Sequence, residues 1–360
     1  MNIGIVLGQT FVGGMERQVG HLSKGFIDKG HNVFVYTISP NISFAGRSKV
    51  EISSKIIYPL WGIKYAYQFS EWILKIYCKK HKIDFLIAFQ IGSIEICNRI
   101  KSELGYPFVI GNIRGIQYAS NEKLKRRYQK GCNQTDALVC NSKAGLVLLQ
   151  QHVIDSALIP AVMIPNIVSV PETSYKTKQD RFIVLFAASL KEVKDPLTFL
   201  KGVYLAIKQN PNIDAIIAGD GDMREELKAF VLEKGLQENI LFLGSVKPEE
   251  VPYNKASLVV STSLREASSN TILEALANGA CVIGTDVGGT TELLKDKSFG
   301  SLIEIGDTDA LAKCILFYSQ LKSDKLESKA NDARDFIISN FDREKIQNAY
   351  INLCKSFTHE

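Results

Sequence analysis

The sequence predicts an α/β protein of two successive doubly wound units, each a parallel sheet with helices on both faces. Three observations carry this. The chain has 360 residues, more than one hydrophobic core usually holds, so two domains of roughly 150 to 200 residues each are expected. Short unbroken apolar runs alternate with stretches of helical periodicity, the pattern of strands buried on both faces. The alternation stops at a polar segment, 168–180, which contains Pro171 and reads as a linker, and then restarts.

Taken in order, residues 2–7 form the first expected strand. A turn at Gly13-Gly14 leads into Met15, Val19, Leu22 and Phe26, which recur at helical spacing and stop at Gly30. A second strand spans 33–38, and later apolar runs fall at 85–89, 108–110, 137–140 and 162–164. After the linker come a strand at 182–187, a helix at 196–208 with proline at its start, and a strand at 213–218. A helix from Met223 ends at Gly235, and strands follow at 240–243 and 258–261. The stretch 261–293, STSLREASSNTILEALANGACVIGTDVGGTTEL, then predicts a helix over 271–278 closed by Gly279, a strand over 281–284 and a turn at Gly288-Gly289. Ser269 or Asn270 suits the N-cap of that helix, because a short side-chain oxygen can accept from the free amides of the first turn. A strand at 302–305, a helix at 309–319 and a last helix at 342–357, with Ile346, Tyr350, Leu353 and Phe357 on its apolar face, complete the chain.

Composition narrows the function. Hydrophobic residues make up 46% and charged residues 22%, ordinary values for a soluble globular protein. No segment approaches the ~20 apolar residues that span a bilayer, and the N-terminus runs directly into a strand pattern without the basic region of a signal peptide. The seven cysteines are scattered with no CxxC, so neither a disulfide framework nor a zinc site is expected and a reducing cytoplasm fits. Residues 1–170 carry 20 Lys+Arg against 10 Asp+Glu, and 171–360 the remaining 23 against 28, so +10 faces −5. A basic first half suits an anionic membrane surface or another acidic partner, or is a solvated face. Tyr65, Phe69, Trp72, Ile73, Ile76 and Tyr77 share one helical face beside Lys75, Lys79, Lys80 and Lys82. That is either an interfacial helix at headgroup depth or a core-facing helix with a snorkelling basic edge. Lys123, Lys125, Arg126, Arg127 and Lys130 form a denser run on a loop or helix end. Neither run belongs to a recognisable nucleic-acid module, so no nucleic-acid partner is expected.

Chemistry concentrates around Glu266 and Glu274, eight positions apart. Glu266 falls on a loop and Glu274 inside the following helix. Between them lies a helix N-terminus, where unpaired amides and the macrodipole favour phosphate. One carboxylate before an anion site and one beyond it suits a ligand with a diphosphate centre and hydroxyl-bearing groups at both ends.

These residues, with others in order along nearly the whole chain, resemble the retaining glycosyltransferases of family 4. Gly13-Gly14-Met15-Glu16 and Gly30-His31-Asn32-Val33 resemble the family's opening GG-x-E and rGH-x-V. DALVCNS at 136–142, Ile164-Pro165-Asn166, SLKEVKDP at 189–196, Gly219-Asp220-Gly221 and Phe242-Leu243-Gly244 resemble further motifs, and Glu266 and Glu274 match the E-x7-E signature. Each is weak alone, and their order and spacing together are specific. The resemblance implies the GT-B fold, two Rossmann-like domains facing a cleft: 1–170 on the acceptor side, 171–340 binding a nucleotide sugar, and 341–360 a helix returning to the first domain. It implies that Glu274 accepts from ribose hydroxyls and Glu266 binds the transferred sugar. Backbone amides of Asn270, Thr271 and Ile272 hold phosphate, and Lys194 pairs with the diphosphate as its charge grows. Gly13-Gly14 lets backbone approach the same phosphates, and the loop at Ser245-Val246 touches the base.

Two departures stand out. Ser189 occupies a position where the family commonly has arginine, and Lys191 is the nearest substitute for that charge. Where many members have histidine, this chain has GNIRG, and Arg114 is the nearest polar candidate. An arginine stays charged and cannot act as a general base, so in the cleft Arg114 would bind acceptor or phosphate; otherwise it makes a structural ion pair. Asp220-Gly221-Asp222 contains D-x-D, but it lies between a strand and a helix and reads as a turn with an N-cap. No metal and no other cofactor is expected, because lysine and helix amides would do the metal's work. Gly13-Gly14 is also not GxGxxG, which argues against a dinucleotide oxidoreductase.

The expected activity is transfer of a sugar from a nucleotide diphosphate sugar, with UDP favoured, to a hydroxyl of a glycan or lipid-linked acceptor in surface polysaccharide or lipopolysaccharide assembly. No flanking pair of hydrolase carboxylates is visible, which fits a front-face mechanism in which the departing phosphate oxygen takes the acceptor proton. The expected location is cytoplasmic, with peripheral attachment at the inner face of the plasma membrane as its extension. A nucleotide-sugar epimerase of the same fold would turn over its substrate without an acceptor, and a non-catalytic sugar-nucleotide-binding subunit would bind without transfer.

Overall fold

The structure, a computed structural model, describes residues 1–8, 14–38, 55–57, 66–115, 118, 121–155, 157–172 and 180–358; Gly13, Tyr65 and the linker segment 173–179 lie outside them. The chain divides into two compact units, Met1–Ile167 with Arg343–Glu360, and Val168–Asp342.

The first unit is built on seven strands: β1 (Asn2–Leu7), β2 (Asn32–Thr37), β3 (Lys55–Ile57), β4 (Phe85–Phe89), β5 (Phe108–Ile113), β6 (Ala137–Cys140) and β7 (Ala161–Met163). Between them lie α1 (Gly14–Asp28), α2 (Ala66–His81), α3 (Ile91–Leu104), α4 (Glu122–Cys132) and α5 (Lys143–His152). Every strand pairing is parallel, in the order β3-β2-β1-β4-β5-β6-β7. The second unit repeats the plan with β8 (Phe182–Ala187), β9 (Ile213–Ala218), β10 (Ile240–Gly244), β11 (Leu258–Ser261), β12 (Cys281–Thr285) and β13 (Gly300–Ile303), ordered β10-β9-β8-β11-β12-β13 and again all parallel. Its helices are α6 (Pro196–Gln209), α7 (Arg224–Glu233), α8 (Asn270–Ala277), α9 (Gly288–Leu294), α10 (Thr308–Ser319) and α11 (Ser323–Asn340).

These are two all-parallel α/β sheets, as expected. Buried β-branched and aromatic side chains cover both faces of the central strands: all five residues of β4 are inaccessible, and so are Val184, Leu185 and Ile217 in the second unit. That burial explains why the strands read as unbroken apolar runs. In each sheet the order reverses once, between β1 and β4 and between β8 and β11. Such a switch point opens a crevice at the carboxyl ends of the strands, where ligands of open α/β sheets bind.

The last helix, α12 (Arg343–Lys355), packs on α1 in the first unit. Phe26 meets Tyr350 edge-on with ring centroids 6.3 Å apart, and the Gln347 amide donates to the His21 carbonyl at 3.2 Å. All seven cysteines are unpaired, and all but Cys314 are buried. Burial pushes the Cys140 thiol up to about 12, so it stays protonated and inert.

Several local expectations shift. Ser269, not Asn270, is the N-cap of α8, and its hydroxyl accepts from the Ile272 amide at 3.3 Å. Gly288-Gly289 opens α9 instead of forming a free turn. β13 begins two residues before the expected strand at 302–305. The basic run around Lys125 lies within α4. Asp220 does not cap the helix after it: Met223 holds the N-cap position of α7 without a side-chain cap. The aromatic face assigned to α2 is divided: Phe69, Ile73 and Tyr77 are half-buried, Tyr77 against the core with its ring 5.8 Å from that of Tyr36. Trp72 and Ile76 are 58% and 42% exposed, while Ser70, Leu74 and Cys78 anchor the helix to the core.

Candidate functional site

In the second unit the predicted residues collect at the switch point. β8 ends at Ala187, and the chain passes through an exposed Ser189 into a single 3-10 turn, Glu192–Lys194. Asp195 follows in the left-handed conformation, φ 43°, and its carboxylate accepts from the Thr198 amide at 3.2 Å to start α6. Two contacts fasten this loop to the one after β11. The Thr262 hydroxyl donates to the Lys194 and Asp195 carbonyls at 3.0 and 2.8 Å. The Leu264 amide donates to the Val193 carbonyl at 2.9 Å.

That fastening sets Lys194 Nζ 2.6 Å from Glu266 Oε2. The two side chains retain only 28% and 14% of their accessibility, so solvent screens the pair incompletely. The resemblance assigns Lys194 to a diphosphate and Glu266 to a sugar; in the structure they hold each other.

Glycines place the loop that carries Glu266. The Gly289 amide donates to the Glu266 carbonyl at 3.1 Å. A Cβ on Gly289 would stand 1.9 Å from the Ala267 carbonyl oxygen, and one on Gly288 2.2 Å from that of Glu266. Only residues without a side chain let α9 start this close beneath the loop. Gly219 and Gly221 do the same for the loop after β8, since Cβ atoms there would stand 1.8 Å from the Ala188 oxygen and 2.4 Å from that of Leu190.

α8 begins beside β8, with the Thr271 hydroxyl donating to the Ala187 carbonyl at 2.8 Å. Of the three amides assigned to phosphate, that of Ile272 is already engaged by Ser269, so a phosphate would take it only by displacing the cap. Glu274, in the fifth position of α8, accepts from the buried Tyr253 hydroxyl at 2.9 Å. Tyr253 was invisible to periodicity because it sits on an isolated 3-10 turn, Tyr253–Lys255. The one available hint is that a buried tyrosine needs a partner for its hydroxyl. Replacing Tyr253 with phenylalanine is expected to weaken binding of a ligand that hydrogen-bonds Glu274 about three- to tenfold; calorimetric titration measures this.

Val246 lies beyond β10, half-buried against the core of the second unit. The Gly219 amide donates to the Gly244 carbonyl at 2.8 Å, linking that strand end to the D-x-D turn, but Val246 itself is not drawn to Lys194 or Glu266 by any polar contact. In the D-x-D segment, Asp220 Oδ1 accepts from the Gly221 amide at 2.8 Å and Oδ2 from Arg224 Nη1 at 2.9 Å, while Asp222 is exposed. Among the described residues no three His, Cys, Asp or Glu side chains converge as a metal site requires.

In the first unit Gly14 is the first residue of α1. Arg114, just past β5, is held by neutral side chains instead of an ion pair. Its Nε donates to Asn112 Oδ1 at 3.1 Å, Nη2 to the Tyr350 hydroxyl at 2.9 Å and Nη1 to Asn166 Oδ1. Its guanidinium carbon lies 5.3 Å from the Phe89 ring centroid. Tyr350 donates to Asn112 at 3.0 Å, and Asn141 donates to Asn166 at 3.3 Å. Burial raises the Tyr350 phenol above its ordinary pKa against the pull of Arg114, so it remains a donor. Three of its five N–H donors are on neutral oxygens, so Arg114 is held in place as a positive charge at the carboxyl edge of β5 with two N–H groups beyond these bonds.

Comparison with known proteins bears on this geometry. The family described as "Glycosyltransferase Family 4" matches residues 12–170, and that described as "Glycosyl transferases group 1" matches residues 172–335. A Campylobacter jejuni α-1,4-N-acetyl-D-galactosaminyltransferase, named for a glycan acceptor on PP-undecaprenol, is 26% identical over 99% of this chain and 94% of its own. An Escherichia coli enzyme named UDP-Gal:α-D-GlcNAc-diphosphoundecaprenol α-1,3-galactosyltransferase is 24% identical over 76% of this chain and 77% of its own. Among solved structures, Anabaena Alr3699/HepE in complex with UDP and glucose superposes with a TM-score of 0.81 at 18% identity, covering 99% of this chain and all of its own. Sucrose-phosphate synthase from Thermosynechococcus elongatus gives a TM-score of 0.84 at 18% identity over 100% of this chain and 99% of its own.

Proposed function

The chain belongs to the glycosyltransferases of group 1 and family 4, and on that premise we propose that it transfers a sugar, with retention, from a UDP-sugar to a hydroxyl of a glycan assembled on a lipid diphosphate. The observation that carries this reading is the arrangement at the β8/β11 switch point: Lys194 on Glu266, and Glu274 oriented by Tyr253 around the start of α8. Lys194 and the first-turn amides of α8 receive the diphosphate, Glu274 the ribose hydroxyls, and Glu266 the sugar that moves. As the bond from the anomeric carbon to the phosphate oxygen breaks, negative charge gathers on the diphosphate and Lys194 stabilises it. The leaving oxygen takes the acceptor proton, and the acceptor oxygen bonds on the face the phosphate leaves, so no separate carboxylate base is needed. The names of the Campylobacter and Escherichia relatives support the lipid carrier, and the UDP-bound fold relative is compatible with the base.

A lipid-borne acceptor calls for an approach to the membrane. No described helix is long and apolar enough to cross one. The outer face of α2 offers Trp72 and Ile76 followed by exposed Lys79 and Lys80, a combination suited to anionic headgroups.

One experiment tests the whole reading: UDP-, GDP- and ADP-sugars are offered to the protein with vesicles that contain anionic lipid and a diphosphate-linked saccharide. The expected result is UDP-dependent transfer, a product whose new linkage keeps the donor's anomeric configuration by NMR, and vesicle association that high salt and Trp72→Ser both weaken. Inversion, a different base, or salt-insensitive absence of vesicle binding would each remove the corresponding part of the proposal.

A further inference from the structure

Arg114 stands beside the place where the strand order of the first sheet reverses. It follows β5, and its guanidinium carbon lies 5.3 Å from the ring centroid of Phe89, the last residue of β4. β4 adjoins β1 at the switch point, so Arg114 borders the crevice at the carboxyl ends of the strands where open α/β sheets take their ligands.

Its surroundings set it apart from other arginines of the chain. Arg99, Arg127, Arg181 and Arg224 hold the carboxylates of Glu71, Glu95, Asp214 and Asp220. Arg114 is half-buried and has no carboxylate partner among the described residues. A charge drawn partly out of water without a counter-ion is costly. It is also held in one place. The Tyr350 hydroxyl accepts from Nη2 and donates to Asn112 Oδ1, which accepts from Nε, so two bonded oxygens take one edge of the guanidinium. Asn166, itself bonded by Asn141, holds Nη1. One N–H remains on Nη1 and one on Nη2.

We infer that Arg114 receives the diphosphate that joins the acceptor saccharide to its lipid, with Tyr350 of α12 as the positioning residue that aims it. The inference rests on the lipid-diphosphate acceptor proposed above and adds which side chain of the first unit recognises it. Arginine suits phosphate oxygens because its N–H groups are directed and its charge persists at any working pH. The donor's diphosphate has its own receptors in the second unit, Lys194 and the first turn of α8. The acceptor's diphosphate is therefore the anion left for Arg114.

The test is calorimetric titration of the full chain in saturating UDP, which fills the nucleotide site and prevents turnover. One ligand is N-acetylglucosamine linked to farnesyl diphosphate, and the other is the same sugar on farnesol without phosphate. The wild type is expected to prefer the diphosphate ligand. Arg114→Gln should weaken that ligand about 10- to 100-fold and leave the neutral one unchanged, abolishing the preference. Arg114→Lys should keep part of it. Tyr350→Phe should weaken the diphosphate ligand alone, about three- to tenfold, and it keeps the question answerable if Arg114→Gln fails to fold. A merely structural role would weaken both ligands alike, and that outcome would overturn the assignment. So would an undiminished preference in Arg114→Gln, or a loss of UDP affinity in that variant, which would give Arg114 to the donor. A wild type that binds neither ligand would remove the lipid-diphosphate reading itself, and this inference with it.

Discussion

Lys194→Ala is expected to lower kcat about 100- to 1000-fold, the usual loss when a preorganised group aimed at developing charge is removed. The competing account is that Lys194 only neutralises Glu266, which lies 2.6 Å away. In that case its loss would harm activity indirectly, by leaving a carboxylate of 14% exposure without its cation. The double variant Lys194→Ala/Glu266→Gln separates the two. If the lysine serves the diphosphate, the double variant falls well below Glu266→Gln alone. If it serves only Glu266, the double variant and Glu266→Gln are equally active. Single-turnover transfer measures the chemical step, and UDP calorimetry on the same variants shows whether the ground state is affected too. A single variant with wild-type rate and UDP affinity would refute the role given to Lys194.

The strands were largely legible because burial on both faces writes a simple signal. β4 and β9 fall where the apolar runs lie, residue for residue. β13 was placed late because Gly300 and Ser301 carry no apolar signal; they are held in the sheet by parallel pairing with Val282 and Ile283. The start of α9 was hidden for a related reason. Paired glycines look like a turn, yet Gly288 and Gly289 are required by the carbonyls of Glu266 and Ala267, more than twenty positions earlier. The candidate site shows the same division. Lys194, Glu266 and Glu274 could be singled out from local motifs, but the contact between the first two spans 72 positions and depends on which strands adjoin at the switch point. Arg114 was recognisable as a departure from the family pattern. Its partner Tyr350 lies 236 positions away on the last helix, where it reads only as an apolar position. Periodicity reports burial; it does not report which buried hydroxyl meets which charged group.

Glu274→Ala is expected to weaken UDP binding about 10- to 100-fold, the equivalent of losing hydrogen bonds to a charged acceptor. The structure adds a second consequence. Tyr253 is 5% exposed and donates to this carboxylate, so the alanine variant takes that acceptor from a buried hydroxyl, at a cost of about 1–3 kcal/mol in stability. Glu274→Ala/Tyr253→Phe removes the hydroxyl along with its acceptor and should melt above the single alanine variant. Its UDP affinity should nevertheless be no worse than that of Glu274→Ala, because the tyrosine acts on the nucleotide only through the carboxylate it orients. Stability would then be recovered while binding is not, which marks a coupled pair. If each substitution instead weakened UDP binding by an independent, additive factor, Tyr253 would touch the nucleotide directly and its role as a positioning residue would fall. If Glu274→Ala bound UDP like the wild type, the ribose assignment itself would fall, whatever happened to Tyr253.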